Sequence, residues 1–162
     1  MLFSLMIRLQ TSEQDKVRLL ETMRRYNEAC NYVANRAYEL KLPSKYKLHR
    51  AVYRKTREKF NLSSQFVIRV IDKVVEAYKR DKNIKPTFKP LGAIQYDQRN
   101  LTWKGIDRVS IMTLQGRLKL STRIADYQKT RFYRARVKGQ TDLVYRNEVF
   151  YLIAVVDASE KS

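Results

Sequence analysis

Nine cationic side chains, Lys104, Arg108, Arg117, Lys119, Arg123, Arg131, Arg134, Arg136 and Lys138, fall in one stretch that also holds Trp103, Tyr127, Phe132 and Tyr133. Cations that follow a sugar–phosphate backbone, beside rings that stack on bases, are the mixture that binds single-stranded nucleic acid. Arg134, Arg136 and Lys138 alternate, so on a strand they form a cationic stripe at intervals of roughly 7 Å, near the separation of successive phosphates. The alternative is a basic strand exposed for solubility. A second cluster runs from Lys41 to Lys59, where eight Lys or Arg and a single acid, Glu58, are interleaved with Tyr46 and Tyr53 and followed by Phe60. On a helix of about 3.6 residues per turn, Tyr46, Arg50, Tyr53, Arg54 and Arg57 share a broad face. Arginine binds phosphate or guanine bidentately, and tyrosine adds stacking or a hydroxyl contact. The competing reading packs these tyrosines on neighbouring helices and leaves the cations solvated.

The whole chain is cationic. Its 162 residues carry 34 Lys+Arg against 16 Asp+Glu, a formal charge of +18, together with 11 tyrosines. The excess is not a tail: residues 12–82 hold 18 basic and 9 acidic side chains, and residues 83–162 hold 15 and 7. Charge of this size repels itself in a compact state and suits a polyanionic partner. Other chemistries find little support. His49 is the only histidine and Cys30 the only cysteine. A His-based triad has no placed partner, an intramolecular disulfide or Cys-type zinc site is impossible, and Cys30 falls on an apolar helical stripe. Four glycines form no phosphate-binding loop. The carboxylates are scattered. The expectation is a chain without enzymatic activity of its own, without a metal or other cofactor, and with a reducing, cytoplasmic location. The start MLFSLMIRL meets Arg8 too soon for a membrane span or signal peptide and reads as a strand, so no membrane partner is expected.

The elements that position these residues change character near residue 83. Leu20, Met23, Cys30, Val33, Ala34 and Ala37 recur at helical spacing from Ser12 to about Leu40, and Leu42-Pro43-Ser44 ends that helix. A second helix is predicted from Lys45 to Phe60. A third starts at the Ser63-Ser64 cap and buries Val67, Ile71, Val74, Val75 and Tyr78. After a connector with Pro86 and Pro90, short runs rich in β-branched and aromatic residues follow: 94–96, 100–104, 108–114, 117–121, 130–137, 142–146 and 149–156. Gln115-Gly116 and Asn147-Glu148 stand where hairpins would turn. The predicted fold is α+β, a small oligonucleotide-binding-type β-barrel with a three-helix lobe inserted after the first strand. Residues 1–11 and 83–162 would form the barrel and 12–82 the lobe. The final run VFYLIAVV is apolar at both odd and even positions, which asks for cover on both faces.

The order of a first strand, NEACNYVANRAYE (27–39), KYKLHRAVYRKTREKF (45–60), LSSQFVIRVIDKVVEAYK (62–79), IQYDQRNLTWK (94–104), VSIMTLQGRLKL (109–120) and GQTDLVYRNEVFYLIAVVD (139–157) resembles the N-terminal half of the TnpB family. These are transposon-encoded RNA-guided DNA endonucleases related to type V CRISPR effectors. The resemblance covers essentially the whole chain and rests on order and spacing more than on any single motif. It implies a wedge-type barrel and a helical recognition lobe. It also implies that the RuvC-like nuclease and zinc ribbon of the family are absent from this chain. Asp157 is the one aspartate near the place of the first nuclease carboxylate, but its context VVDASEKS lacks the flanking glycines.

The resemblance implies the partners too: a guide RNA, a double-stranded DNA target read through a short flanking duplex, and a RuvC-like nuclease domain or chain. The positions matching the family's duplex contacts are Tyr46, Arg50, Ser64, Gln65, Ile68, Asp97 and Gln98, with Arg99 beside them. Gln65 suits adenine, and Arg50 and Arg99 suit guanine or phosphate. Ile68 offers no hydrogen bond. RNA is expected on Arg54, Arg57, Lys104, Arg108, Arg117, Lys119, Arg131, Arg134, Arg136 and Lys138. A general RNA-binding barrel, or a docking subunit for a separately encoded nuclease, are the alternative functions.

Overall fold

A computed structural model of the chain describes residues 2–105, 107–124 and 135–158. Among these described residues the fold is α+β: seven strands form a nearly closed antiparallel barrel, and three helices are inserted between its first and second strands. In chain order the elements are β1 (Leu2–Gln10), α1 (Glu13–Glu39), α2 (Lys45–Phe60), α3 (Ser64–Arg80), β2 (Ile94–Tyr96), β3 (Leu101–Lys104), β4 (Arg108–Thr113), β5 (Gly116–Arg123), β6 (Ala135–Arg146) and β7 (Val149–Ala158). Two compact units result, 1–19 with 93–162, and 20–92. No helix among the described residues is long and apolar enough to cross a membrane.

The helices begin where serine can cap them. Ser12 N–H donates to Asp15 (3.0 Å) and Asp15 N–H donates back to the Ser12 hydroxyl (3.1 Å), a reciprocal box that satisfies two donors at the start of α1. Ser44 and Ser63 accept from the backbone of Lys47 and Phe66 to open α2 and α3. Asn61, at φ 49, closes α2 in the left-handed conformation that asparagine tolerates. Within 20–92 the expected stripe of α1 is buried against α3: Tyr26 meets Phe66 edge-on at 6.0 Å, and the Tyr78 hydroxyl donates to the Ala34 carbonyl at 2.9 Å.

The chain leaves the helical unit later than the change in texture suggests, because two asparagines on α1 hold the connector. Asn31 donates to the Phe88 carbonyl (2.9 Å) and accepts the Phe88 N–H (2.8 Å). One turn earlier, the Asn27 amide donates to the carbonyls of Pro90 and Gly92 (3.2 and 3.0 Å). The connector's backbone is thereby satisfied without a strand partner. The Lys73 ammonium donates to Asn27 Oδ1 and lies over the Phe88 ring at 5.2 Å, which covers the same joint.

The barrel order is β2-β6-β7-β1-β5-β4-β3. Inward positions alternate along each strand and are buried: Leu5, Ile7 and Leu9 on β1, Val109 and Ile111 on β4, Leu118 and Leu120 on β5, and Phe150, Leu152, Ala154 and Val156 on β7. The β6–β7 hairpin turns on Asn147 and Glu148, both at positive φ (51 and 64), as a two-residue turn matched to strand twist requires. The other hairpin turns at Leu114-Gln115, one residue earlier than the sequence suggests, and Gly116 takes φ 99 as the first residue of β5. The runs expected as two strands at 130–137 and 142–146 contribute to one strand, β6. Its register slips between Lys138 and Thr141, with Gly139 at φ 66. This bulge bends the strand and still returns Thr141 to the inward side opposite Ala154. On β7 the second apolar set, Tyr151, Ile153 and Val155, is half-buried on the outward side.

Closure falls to the edge strands. β2 and β3 lie at opposite ends of the strand order but are consecutive in the chain, joined by Asp97–Asn100. The fully buried Tyr96 donates its hydroxyl to the Met112 carbonyl on β4 at 2.9 Å, and the Met112 N–H donates to the Asn100 carbonyl at 2.9 Å. Tyr96→Phe removes the first of these bonds in a buried setting and is expected to destabilise the chain by about 1–2 kcal/mol. Tyr46→Phe, at an exposed ring, should change nothing measurable. Urea titrations read both, and equal midpoints for the two variants would remove Tyr96 from the closure.

Candidate nucleic-acid interface

Because inward positions are fixed by the core, the alternate positions of β1, β5, β4 and β3 share the outer wall. That wall carries Arg8 on β1, Arg117, Lys119 and Arg123 on β5, Arg108 on β4 and Lys104 on β3, and no Asp or Glu at any outward register position of these four strands. Two of the pairings set like charges directly opposite each other, Arg8 with Arg123 and Lys104 with Arg108. Cross-strand like charges oppose sheet formation. Among the described residues, none of Arg8, Lys104, Arg108, Lys119 and Arg123 forms an ion pair. The register also aligns a row across the four strands, Lys104, Arg108, Ser121 and Gln10, with Arg8 and Arg123 beside its far end.

Arg117 differs from its neighbours. Its guanidinium donates to the carbonyls of Arg99 (2.7 Å) and Ser110 (3.1 Å) and to the Thr102 hydroxyl (3.3 Å). It ties the Asp97–Asn100 turn to β4 and positions the wall. Asp97 is likewise committed: its carboxylate accepts the Arg99 N–H at 2.8 Å, while its own N–H donates to Asn100 Oδ1 at 2.8 Å. This is an Asx-type turn. Gln98 and Arg99 stand exposed at its tip. Asp97 and Gln98, with Trp103 and Gly139, line a cavity of about 290 Å³ at the barrel seam.

Of the remaining barrel candidates, Lys138 is exposed on β6 beside the bulge, and Arg136 is placed by its backbone opposite Asp157. Arg131, Arg134, Tyr127, Phe132 and Tyr133 lie outside the described residues. Asp157 belongs to β7 and pairs in register with Leu2.

In the helical unit α2 buries Leu48, Val52 and Thr56 and turns the expected face outward. Tyr46 is 69% exposed and Arg50 lies over its ring at 5.8 Å. Arg54 and Arg57 are exposed further along, and Tyr53 is half-buried, stacked on His49 at 4.8 Å. Ser64, Gln65 and Ile68 on α3 are half-buried. Lys45, at the start of α2, pairs with Asp72 of α3 at 2.6 Å, and Arg69 pairs with the same carboxylate. Tyr46 and Arg50 therefore project from a helix whose entrance is clamped to its neighbour.

Sequence reasoning did not single out Arg8 or Lys16. Arg8 was legible only as an interruption in an apolar strand, since hydrophobic period does not say which strand will lie opposite. Among the described residues no three His, Cys, Asp or Glu side chains gather to hold a metal ion. Burial pushes the Cys30 thiol up to about 12, against a smaller opposing effect of Lys73. No family model and no curated protein matches the chain.

Two measurements follow from this chemistry. Lys104→Glu places an opposite charge across from Arg108 and should raise stability by about 0.2–0.5 kcal/mol, allowing for solvent screening, while weakening polyanion binding. A loss of stability in denaturant titration would show that the wall is not electrostatically strained. The Cys30 thiol stays protonated in the fold while the unfolded thiol ionises near 9.0. Its contribution to stability is whole below that pH and falls as pH rises toward 12. A thiol reagent at pH 8 should accordingly label Cys30 only in denaturant. Rapid labelling of the native chain would contradict its burial.

Proposed function

We propose that the chain is the nucleic-acid-binding module of an RNA-guided DNA-targeting protein. The barrel wall follows the backbone of a guide RNA, and the outward face of α2 and the start of α3 meet a duplex beside the DNA target. The observation that carries the reading is the outer wall with its opposed like charges and no carboxylate. A folded chain tolerates such opposition where a bound polyanion relieves it, and phosphate is the polyanion that alternating Lys and Arg on adjacent strands best match. Exposed Tyr46 with Arg50 over its ring supports a second contact, since a ring and a guanidinium presented together can stack on a base and bind phosphate. The resemblance to the TnpB family supplies the guided element, and a separate nuclease domain or chain would supply cleavage. General RNA binding is the alternative, because wall contacts to phosphate carry no sequence information.

Filter binding to a structured RNA across salt concentrations tests the electrostatic part. With about six phosphates neutralised, the log–log slope should be near −4 for single-stranded regions. Arg108→Gln with Lys119→Gln should make it shallower by about 1.4, and a slope between 0 and −1 in the unaltered chain would refute the reading. Competition among duplexes differing in a few flanking bases, with RNA bound, tests the rest. Tyr46→Ala and Arg50→Ala should reduce preference for particular bases. A chain that binds RNA steeply but shows no duplex preference is a general RNA-binding protein.

A further inference from the structure

At the end of the outer wall, where β1 runs into α1, a cavity of about 360 Å³ is lined by Arg8, Gln10, Thr11, Lys16, Arg123 and Glu148 among others. Its two arginines are the opposed pair, partners in register on β1 and β5, so both guanidiniums leave neighbouring strands on the same side of the sheet. Lys16 enters from the first turns of α1, where its ammonium forms a long ion pair with the exposed Glu13 at 3.7 Å. The start of α1 is held in place by the Ser12–Asp15 box and by Arg18, which donates to the Thr113 hydroxyl at 3.1 Å. The backbone that carries Lys16 is therefore fixed in place. Two N–H groups at the helix start are already used by the box, so the cations, not the helix terminus, define the site.

Its charge favours an anion. Arg8, Arg123 and Lys16 stand against Glu148 in the lining, with the Glu13 carboxylate paired to Lys16 at 3.7 Å, so the cations remain in excess. A phosphodiester within a strand carries one negative charge, whereas a phosphomonoester carries about −1.5 to −2 at pH 7 and offers three strong acceptor oxygens. Two guanidiniums and an ammonium can meet those oxygens, with Gln10 and Thr11 able to donate further hydrogen bonds. The aligned row Lys104, Arg108, Ser121 and Gln10 crosses the wall and ends at this cavity. At roughly 4.8 Å per strand the row is about 14 Å long, room for two or three nucleotides.

We propose that the cavity captures the terminal phosphomonoester of a nucleic-acid strand whose backbone lies along the wall. This rests on the nucleic-acid-binding reading above and adds to it the chemistry of the strand end.

The test is fluorescence anisotropy with one short oligoribonucleotide in three forms: 5′-phosphate, 3′-phosphate, and hydroxyl at both ends. One phosphorylated form should bind about tenfold or more tightly than the hydroxyl form at pH 7.5, and the preference should shrink toward pH 5 as the second phosphate proton returns. Arg8→Gln and Arg123→Gln should each abolish the preference. Lys104→Gln should weaken all forms alike, and Glu148→Gln should enlarge the preference. Circular dichroism with a urea midpoint checks that each variant folds. If the oligonucleotides bind steeply with salt but equally well in all forms, the cavity assignment is overturned and the wall stands. If no form binds, both fall. Inorganic phosphate or a nucleoside monophosphate binding as tightly as the phosphorylated oligonucleotide would make the ligand a free phosphate compound and overturn the strand-end assignment.

Discussion

Two edge strands separated by the whole width of the sheet have to be brought together by the four residues Asp97–Asn100, and the rest of the barrel follows from how that is done. An open seven-stranded sheet with a three-residue edge would expose backbone donors and acceptors that invite pairing with other chains. Here the turn is internally bonded through Asp97 and Asn100, the Asn100 carbonyl accepts from Met112, and the Tyr96 hydroxyl reaches the Met112 carbonyl. Burial pushes the Tyr96 phenol well above its ordinary value, so the group remains a donor throughout the physiological range. The bulge at Gly139 belongs to the same problem. β6 pairs with both β2 and β7, and a strand of its length bends most readily where an unpaired insertion raises the local twist.

Closure also decides the surface. Once Leu9, Leu118, Leu120, Val109 and Ile111 are inside, period two sends Arg8, Lys119 and Arg108 outside with no further choice. β1 then divides the wall. Its last residues, Arg8 to Gln10, pair with β5 and continue a cationic surface, while Leu2 to Arg8 pair with β7, where Met6 lies opposite Ile153 and Leu2 opposite Asp157. The outward Tyr151, Ile153 and Val155 are why the last strand reads as hydrophobic on both faces, and β6 sets Asp142 and Lys138 opposite two of them.

Much of this was legible in the residues themselves, for identifiable reasons. Ser44, Ser63 and Pro43 mark helix ends because capping and the loss of a backbone donor act within a few residues. Asn147-Glu148 marked a hairpin for the same local reason. The position of Arg8 opposite Arg123, and the bonding of Arg117 to Arg99 and Ser110, were not legible, since both depend on which strands become neighbours. The misreading of β6 as two strands has a similar origin: the Gly139-Gln140 interruption looks like a turn locally, and only the continuous ladder to β7 makes it a bulge. Likewise Asn27 and Asn31 look like ordinary polar helix residues until the connector they hold lies beside them.

Arg117 and Lys119 show how the fold sorts equal charges. They stand two residues apart on β5 and face the same side, and composition weighs them equally. Arg117 finds two carbonyls and a hydroxyl within 3.3 Å, so removing it would leave protein acceptors unsatisfied before any ligand is considered. Lys119 finds no ion-pair partner among the described residues, so its charge is free to answer a partner from outside. The same distinction separates Asp97, held by its turn, from Gln98 at the tip, and Lys45, clamped to Asp72, from Arg54 and Arg57. Excess charge sorted in this way leaves a short list of cations on one wall and one helix face, and opposed pairs within that list are where an external anion gains most.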